Sequence, residues 1–361
     1  MKIYIYRYGS ICEPDIIDSF KRLGLDVHEE CMEIFNKNLT PSECIKRTAS
    51  DIVDGGYSFV FTINFFPWLS EVCNIANIVY ISLIVDSPVL ELYSESLATN
   101  VARTDKVIQN ASISERKHFS SDISFIGSTY QEKCDYNKIK LNEYDTGYVD
   151  GLIEAQLKIY GYNFIEDVIS EEFAERFIKS NLGTYEFPEN SRCNYKALVA
   201  QHYISVKVAE QERLRALRML SDSFNVDMYT GSDTSSMPHI NNRGFARSLE
   251  EMPLIFNNSK INLNITAKSI RSGLSLRVFD VLGCGGFLIT NYQAELPEFF
   301  EIGKDLVAYE SMEDLKAKCD YYLKNEDERM EIANHGYETV KKLHTYDTRL
   351  IQMIDMAFPA K

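Results

Sequence analysis

Between Leu274 and Gly286 the only charged side chains are Arg277 and Asp280, one helical turn apart in the apolar stretch Leu-Ser-Leu-Arg-Val-Phe-Asp-Val-Leu-Gly-Cys-Gly-Gly. A helix otherwise packed in an interior either turns its polar residues toward a ligand or buries them as a matched pair. Facing a ligand, the N–H groups and dipole of the helix N-terminus, with a guanidinium beside them, suit a diphosphate. A carboxylate one turn on suits ribose hydroxyls. Turned inward, the same residues make an i,i+3 structural ion pair. The cluster Gly283-Cys-Gly-Gly286 is not a dinucleotide loop, because that loop needs a strand before its glycines and a helix after them. Here Leu276, Phe279 and Leu282 repeat with helical spacing before the glycines, and Phe287-Leu-Ile-Thr290 is a short apolar run suited to a buried strand after them. The glycines therefore close a helix with a left-handed C-cap. Any phosphate-binding end is the other one, approached through Arg271-Ser-Gly-Leu-Ser275.

Such a helix needs a sheet to hold it, and the chain alternates accordingly. Strand-like runs at 2–8, 57–63, 78–85 and 105–109 interleave with helical patterns at 13–23, 41–54 and 67–75, and Leu25–Cys31 is a further strand candidate. This βα rhythm predicts a doubly wound parallel sheet with ligands at the carboxyl ends of its strands. The rhythm restarts at Ile123-Ser-Phe-Ile-Gly-Ser128 and gives way to a helix-rich stretch over about 131–220. It then returns at Val226–Gly231, Lys260–Ile265, Phe287–Thr290 and Leu306–Tyr309. The expectation is an α/β protein of two Rossmann-like βα domains facing a cleft: 1–118, then 119–345 with a helical insertion, then a helix in 346–361 returning to the first domain. Two such domains suit an enzyme with a nucleotide on one side and a second substrate on the other.

Composition narrows the partners. The 361 residues are 45% apolar and 25% charged, with 53 acidic against 38 basic side chains and a formal charge of −15. That balance disfavours a nucleic-acid partner, whose binding rests on neutralising phosphates. Eight cysteines, at 12, 31, 44, 73, 134, 193, 284 and 319, form no Cys-x-x-Cys pair or zinc-like cluster, and read as reduced thiols of a cytoplasmic protein. Met1-Lys-Ile-Tyr-Ile-Tyr-Arg7 alternates like a strand and lacks the apolar core of a signal peptide. No apolar run approaches the roughly 20 residues of a membrane span. Histidines are less informative: His202 sits in a helical stretch and His344 near a helix end, where a C-terminal cap is the better reading.

Several motifs together resemble the bacterial CgeB-like (spore maturation protein) glycosyltransferases. They are Lys260-Ile-Asn-Leu-Asn-Ile-Thr266, Ser272-Gly-Leu-Ser-Leu-Arg-Val-Phe-Asp280, Gly283-Cys-Gly-Gly-Phe287, Asn291-Tyr, Glu295-Leu and His344-Thr-Tyr346. Phe125-Ile-Gly-Ser128, Tyr229-Thr-Gly231 and Gly244-Phe245 resemble the strand ends lining the donor site of GT-B enzymes. Upstream, Asn64-Phe-Phe-Pro67, Ser70-Glu-Val-Cys-Asn74 and Asp86-Ser-Pro88 with Leu92-Tyr93 resemble the N-terminal domain usually fused to it. The resemblance implies a GT-B fold and a hexosyltransferase-like enzyme using a nucleoside diphosphate sugar, UDP-sugar favoured, with an undefined glycan, protein or small-molecule acceptor. It also suggests envelope or spore-surface glycan assembly.

Carried over residue by residue, Arg277 binds the donor diphosphate and Asp280, where many relatives have glutamate, the ribose. Gly273, Leu274 and Ser275 offer backbone N–H groups, and Arg243, Gly244 and Phe245 lie near the base. Gly127, Ser128, Tyr229, Gly231, Asn264 and Thr266 complete the donor side. Lys268 and Arg271 either add positive charge at the leaving diphosphate or are solvated surface. Asn64, Phe65, Phe66 and Ser87 stand on the acceptor side. The chain has no Asp-x-Asp, which agrees with the metal-free GT-B pattern; no metal and no cofactor beyond the nucleotide-sugar co-substrate are expected. Asp86, after Ile81-Ser-Leu-Ile-Val85 and before Ser87-Pro88, stands at a strand's carboxyl end, either as the base that deprotonates an acceptor hydroxyl or as a turn aspartate. A GT-B-fold epimerase and a non-catalytic nucleotide-sugar-binding module are the rival readings.

Overall fold

The computed structural model describes residues 1–36, 39–84, 99–183, 187 and 194–359. The chain packs as two compact units, Met1–Asn100 with Lys342–Lys361, and Val101–Lys341.

In the first unit, β1 (Lys2–Tyr6), β2 (Asp26–Glu30), β3 (Phe59–Ile63) and β4 (Val79–Leu83) form a parallel sheet in the order β2-β1-β3-β4. Every residue of β3 is buried, as expected of a central parallel strand covered on both faces. Tyr4, Tyr6, Val60, Ile52 and Leu69 build the core between this sheet and the helices Pro41–Asp54 and Pro67–Ala76. The terminal helix Tyr346–Ala357 packs in this unit: Arg22 Nη2 donates to Asp347 Oδ1 at 2.7 Å, and the ring of Phe358 lies 6.0 Å from that of Phe59.

The second unit holds β5 (Ser121–Ile126), β6 (Val226–Tyr229), β7 (Asn241–Asn242), β8 (Ser259–Asn264), β9 (Leu288–Asn291) and β10 (Val307–Tyr309). All pairs are parallel, in the order β10-β9-β8-β5-β6-β7. Parallel register puts every carboxyl end on one edge, where Gly127, Thr230, Ile265 and Tyr292 follow their strands. Ile123, Met228, Ile261, Ile289 and Val307 face a core closed by Ala216, Leu217 and Leu220 of the helix Ser205–Ser221. Between β5 and β6 the helical insertion has a core of its own, in which Val149, Ile165, Phe177, Val199 and Val208 pack together. Its helices include Glu143–Leu157, Ile165–Val168 and Glu171–Asn181. A π-helical segment, Val199–Ile204, joins the turn Tyr195–Leu198 to Ser205–Ser221.

Two expectations change. The run 105–109 is not a strand but part of the helix Val101–Asn110, which buries Val101 and Thr104 at helical spacing. Thr104 Oγ1 donates to Gly283 O at 3.1 Å and Arg103 Nη1 to Leu249 O at 2.8 Å, so this helix docks within the second unit and the boundary falls at Asn100 rather than 118. Helical spacing and docking here override a β-branched run. The two-residue β7, exposed and polar, carried no strand pattern to read.

The glycine cluster closes the helix Leu276–Gly283. Gly285 takes φ +69°, and the N–H of Gly286 bonds back to Val281 O at 3.0 Å. A Cβ at Gly286 would lie 2.6 Å from Phe256 O and 2.8 Å from Asn262 Nδ2. Gly286→Ala should therefore cost about 1–3 kcal/mol by overpacking in urea unfolding. Gly147→Ala, in the helix Glu143–Leu157 with no atom within 4 Å of its added Cβ, should be neutral or stabilising by about 0.5–1 kcal/mol. Equal effects of the two would refute the packing assignment.

Candidate functional site

The carboxyl ends of β5 and β8 are tied by one side chain. Arg213, from the helix Ser205–Ser221, donates through Nη1 to Ser128 O and through Nη2 to Ile265 O, both at 2.7 Å, and through Nε to Ile265 O at 3.2 Å. Its guanidinium lies 4.2 Å from the ring centroid of Tyr130, a residue held in the left-handed region at φ +70°. A planar fork matched to two carbonyls fixes the spacing of two loops in a way an ammonium cannot. In sequence this segment reads only as the end of the helix-rich stretch 131–220; an arginine within it, next to a glutamate, is the sole signal.

That neighbour, Glu212, is completely buried. Lys268 Nζ lies 3.6 Å from Glu212 Oε1, longer than a hydrogen bond, and donates instead to the carbonyls of Gln156, Leu157 and Ile159 at 3.1, 3.0 and 3.0 Å. The ammonium also sits 3.7 Å from the centroid of Tyr160. Burial pushes the Glu212 carboxyl up to about 7, and the Lys268 ammonium down, opposed by the charge of Glu212. Lys268 thus differs from expectation: its amine is directed into the interior and fastens the segment after β8 to the insertion.

Polar side chains close the same edge. Asn264 Nδ2 donates to Thr266 Oγ1 and Thr290 Oγ1, both at 2.9 Å. Asn291 accepts from Thr266 N at 2.9 Å and donates to Thr266 O at 2.8 Å, so β8 and β9 end in a matched amide pair. Beyond them opens a cavity of about 280 Å³, bordered by Thr266, Lys268, Arg271 and Gly273 on one side, Asn291–Glu295 on another, and Gly161–Asn163 of the insertion on a third. Glu295 accepts the N–H of Gly273 at 2.8 Å, and Gly273 takes φ +79°.

The helix Leu276–Gly283 begins two residues further on. Ser275 is its N-cap, accepting the N–H of Arg277 at 3.2 Å, and Leu274 is buried beneath. Arg277 is neither fully exposed nor tightly paired. Its Nη1 is 4.0 Å from Asp280 Oδ2 and 3.8 Å from Met252 Sδ, with the guanidinium 5.1 Å from the Phe256 centroid. Arg271, by contrast, faces two carboxylates, Glu166 at 3.4 Å and Asp167 at 3.6 Å. Of Lys268, Arg271 and Arg277, Arg277 therefore has the longest carboxylate contact, and it stands in the first turn of a helix.

Tyr229, the last residue of β6, is buried, and Gly231 beyond it leaves room for the ring of Phe245; a Cβ there would lie 2.1 Å from that ring. Phe245 is nonetheless 85% exposed. Gly244, at φ +74°, donates to Asn242 Oδ1, and Arg243 Nη2 donates to His118 O at 2.9 Å.

In the first unit Asn64, at φ +59°, donates to Tyr8 Oη at 2.9 Å. Phe66 N donates to Tyr80 Oη at 3.1 Å, and Phe65 packs 5.8 Å from the same ring. Asp86 and Ser87 lie outside the described residues. The loop after β1 holds a feature the sequence did not announce. Glu13 Oε1 accepts the N–H groups of Tyr8, Gly9 and Ser10 at 2.9, 2.9 and 3.0 Å, and Arg7 Nε bonds Glu13 Oε2 at 3.0 Å. The chain's own carboxylate fills the backbone nest where a doubly wound sheet can receive a phosphate.

Two α/β units with parallel sheets, the second ending in a glycine turn after β5, an amide-paired edge and a capped helix carrying an arginine, constitute the GT-B fold. Residues 213–355, from the arginine that ties β5 to β8 into the terminal helix, match a family described as glycosyl transferase-like. Among solved structures, sucrose-phosphate synthase from Thermosynechococcus elongatus superposes with a TM-score of 0.50 at 10% identity, covering 100% of both chains. A glycosyltransferase from Rickettsia africae gives 0.47 at 14% identity, covering 100% of this chain and 99% of that one. Anabaena HepE in complex with UDP-glucose gives 0.49 at 10% identity, with 99% of each chain covered. No curated protein sequence matches significantly.

The Glu212–Lys268 contact has a pH signature. With burial pushing the folded carboxyl up to about 7 from its ordinary 4.5, the folded state keeps, between those values, a proton that the unfolded chain has released. Stability from this group is full below about 4.5 and is lost as pH rises toward 7. Glu212→Gln should flatten that interval of the unfolding free energy by up to about 3 kcal/mol relative to wild type, measured by urea unfolding across pH. Parallel profiles would contradict a buried, destabilised carboxylate.

Proposed function

We propose that the protein transfers a sugar from a nucleoside diphosphate sugar, with uridine as the favoured base, to an acceptor hydroxyl on a glycan, protein or small molecule. The observation that carries this is the incompletely neutralised Arg277 in the first turn of a helix whose N-cap, Ser275, follows the loop at the end of β8. A diphosphate supplies the charge that this corner lacks, and N–H groups and dipole at the helix end favour it further. The glycosyl transferase-like match, which contains both Arg213 and Arg277, supports the same reading. So does the first unit: with Glu13 seated in the loop after β1, a second anion there meets repulsion, which suits an uncharged acceptor better than a nucleotide.

In this reaction the bond between the sugar's anomeric carbon and the β-phosphate oxygen breaks, and the new bond forms to the acceptor oxygen. Negative charge grows on the departing diphosphate, where Arg277 and the helix end stabilise it more than in the ground state. Asp280, one turn along, is the proposed ribose contact, and Phe245, exposed above Gly231, the proposed neighbour of the base. The acceptor proton passes to Asp86 in this proposal. Stabilisation by side chain and helix requires no divalent cation, and the affinity with CgeB-like enzymes remains part of the same proposal.

Arg277→Ala should weaken UDP binding by about 2 kcal/mol, roughly thirtyfold, in a calorimetric titration. In the companion assay, turnover of a UDP-sugar with acceptor should persist in EDTA. Unchanged affinity in the variant would remove Arg277 from the site, and activity restored only by magnesium or manganese would assign the charge stabilisation to a metal.

A further inference from the structure

The cavity beyond β8 and β9 is built only in part by the sheet. Its third wall is the insertion: Gly161, at φ +75°, brings its turn so close to Tyr292 that a Cβ would lie 2.8 Å from that ring. Asn163 Nδ2 donates to Lys268 O and to Ser205 Oγ, both at 2.9 Å, locking the same wall to the segment after β8. At about 280 Å³ the cavity falls just below the roughly 300–1,000 Å³ typical of small-molecule pockets, so it takes a group the size of one sugar ring. Gly273, on its border, is two residues from the N-cap Ser275, so a diphosphate held at the helix end presents its attached group to this cavity.

Charge around the cavity is the informative part. The one cation on its border that is not turned into the interior is Arg271, and the insertion sets two carboxylates against it, Glu166 and Asp167. Both are held in place, Glu166 by an amide of the π-helical segment, Gln201 Nε2 at 2.7 Å, and Asp167 by the hydroxyl of Tyr162. Glu166 and Asp167 stand behind Arg271 rather than on the border; the carboxylate on the border itself is Glu295, engaged with Gly273 N, while the Lys268 amine points away. The remaining border carries no charge: amides and hydroxyls such as Asn291, Gln293 and Thr266, the ring of Tyr292, and the aliphatic Ile270.

We propose that the insertion makes this cavity the subsite for the transferred glycosyl group, and that Glu166 and Asp167, by neutralising Arg271, set it to accept an uncharged sugar and turn away one bearing a carboxylate. The inference rests on the donor reading above. Calorimetry with UDP, UDP-glucose and UDP-glucuronate on the full chain tests it. Wild type should bind UDP-glucose at least about tenfold more tightly than UDP-glucuronate, and Glu166→Gln with Asp167→Asn should narrow that ratio by about tenfold while leaving UDP affinity unchanged. Adding Arg271→Gln to the double variant should abolish the gain. If the double variant loses UDP affinity through misfolding, Asp167→Asn, at an exposed position, carries the same criterion with a smaller shift. An unchanged glucose-to-glucuronate ratio with UDP binding intact overturns the charge assignment and leaves the donor reading standing. A wild-type protein that binds none of the three overturns the donor reading and this inference with it.

Discussion

Arg213 holds two loops at one spacing, and the second unit's edge is arranged around that constraint. Its fork reaches the carbonyl of Ser128 after β5 and that of Ile265 after β8, the two loops that flank the central strands. Leaving those carbonyls unpaired in a half-buried position costs more than the bonds gain when made, which is why the helix Ser205–Ser221 cannot slide without losing the edge. Glu212 and Lys268 extend the constraint from the same helix to the insertion, through three carbonyls that an ammonium satisfies at once. The insertion is therefore mechanically part of the candidate site, although its core is its own.

The two units use the same supersecondary unit for opposite electrostatics. In the first, the turn after β1 gathers three N–H groups and gives them to Glu13, which is itself paired with Arg7. In the second, the loop after β8 leads to a capped helix whose first-turn arginine has its carboxylate partner only at 4.0 Å. A fold family hosts many chemistries because such loops vary while the sheet does not. Here the variation amounts to one internal anion in one unit and one under-compensated cation in the other.

The parallel strands were legible because buried apolar runs between helical patterns have few alternatives: β1, β3, β5 and β8 fall within a residue or two of the runs that announce them. The helix Leu276–Gly283, with its cap and glycine exit, was legible for local reasons, since capping and left-handed turns are chemistry of neighbouring residues. The run 105–109 misled because helix and strand share Val and Ile, and only contacts to Gly283 and Leu249 decide between them. Arg213, Glu13 and the inward amine of Lys268 were opaque for the corresponding reason. Each acquires its role from carbonyls or N–H groups, which look the same in every residue of a sequence. Arg271 was visible as a charge, but its neutralisation by Glu166 and Asp167 spans more than a hundred residues of chain.

The central claim, that the nucleotide is held by the second unit at the carboxyl ends of β5 and β8, is tested most directly by amide hydrogen exchange with and without UDP. Exchange should slow in 127–130 and 266–280, the loops held by Arg213 and the turn leading into the Arg277 helix, and stay unchanged in 7–13, where Glu13 already occupies the N–H groups. Protection confined to 7–13, with 127–130 and 266–280 unaffected, would contradict the account.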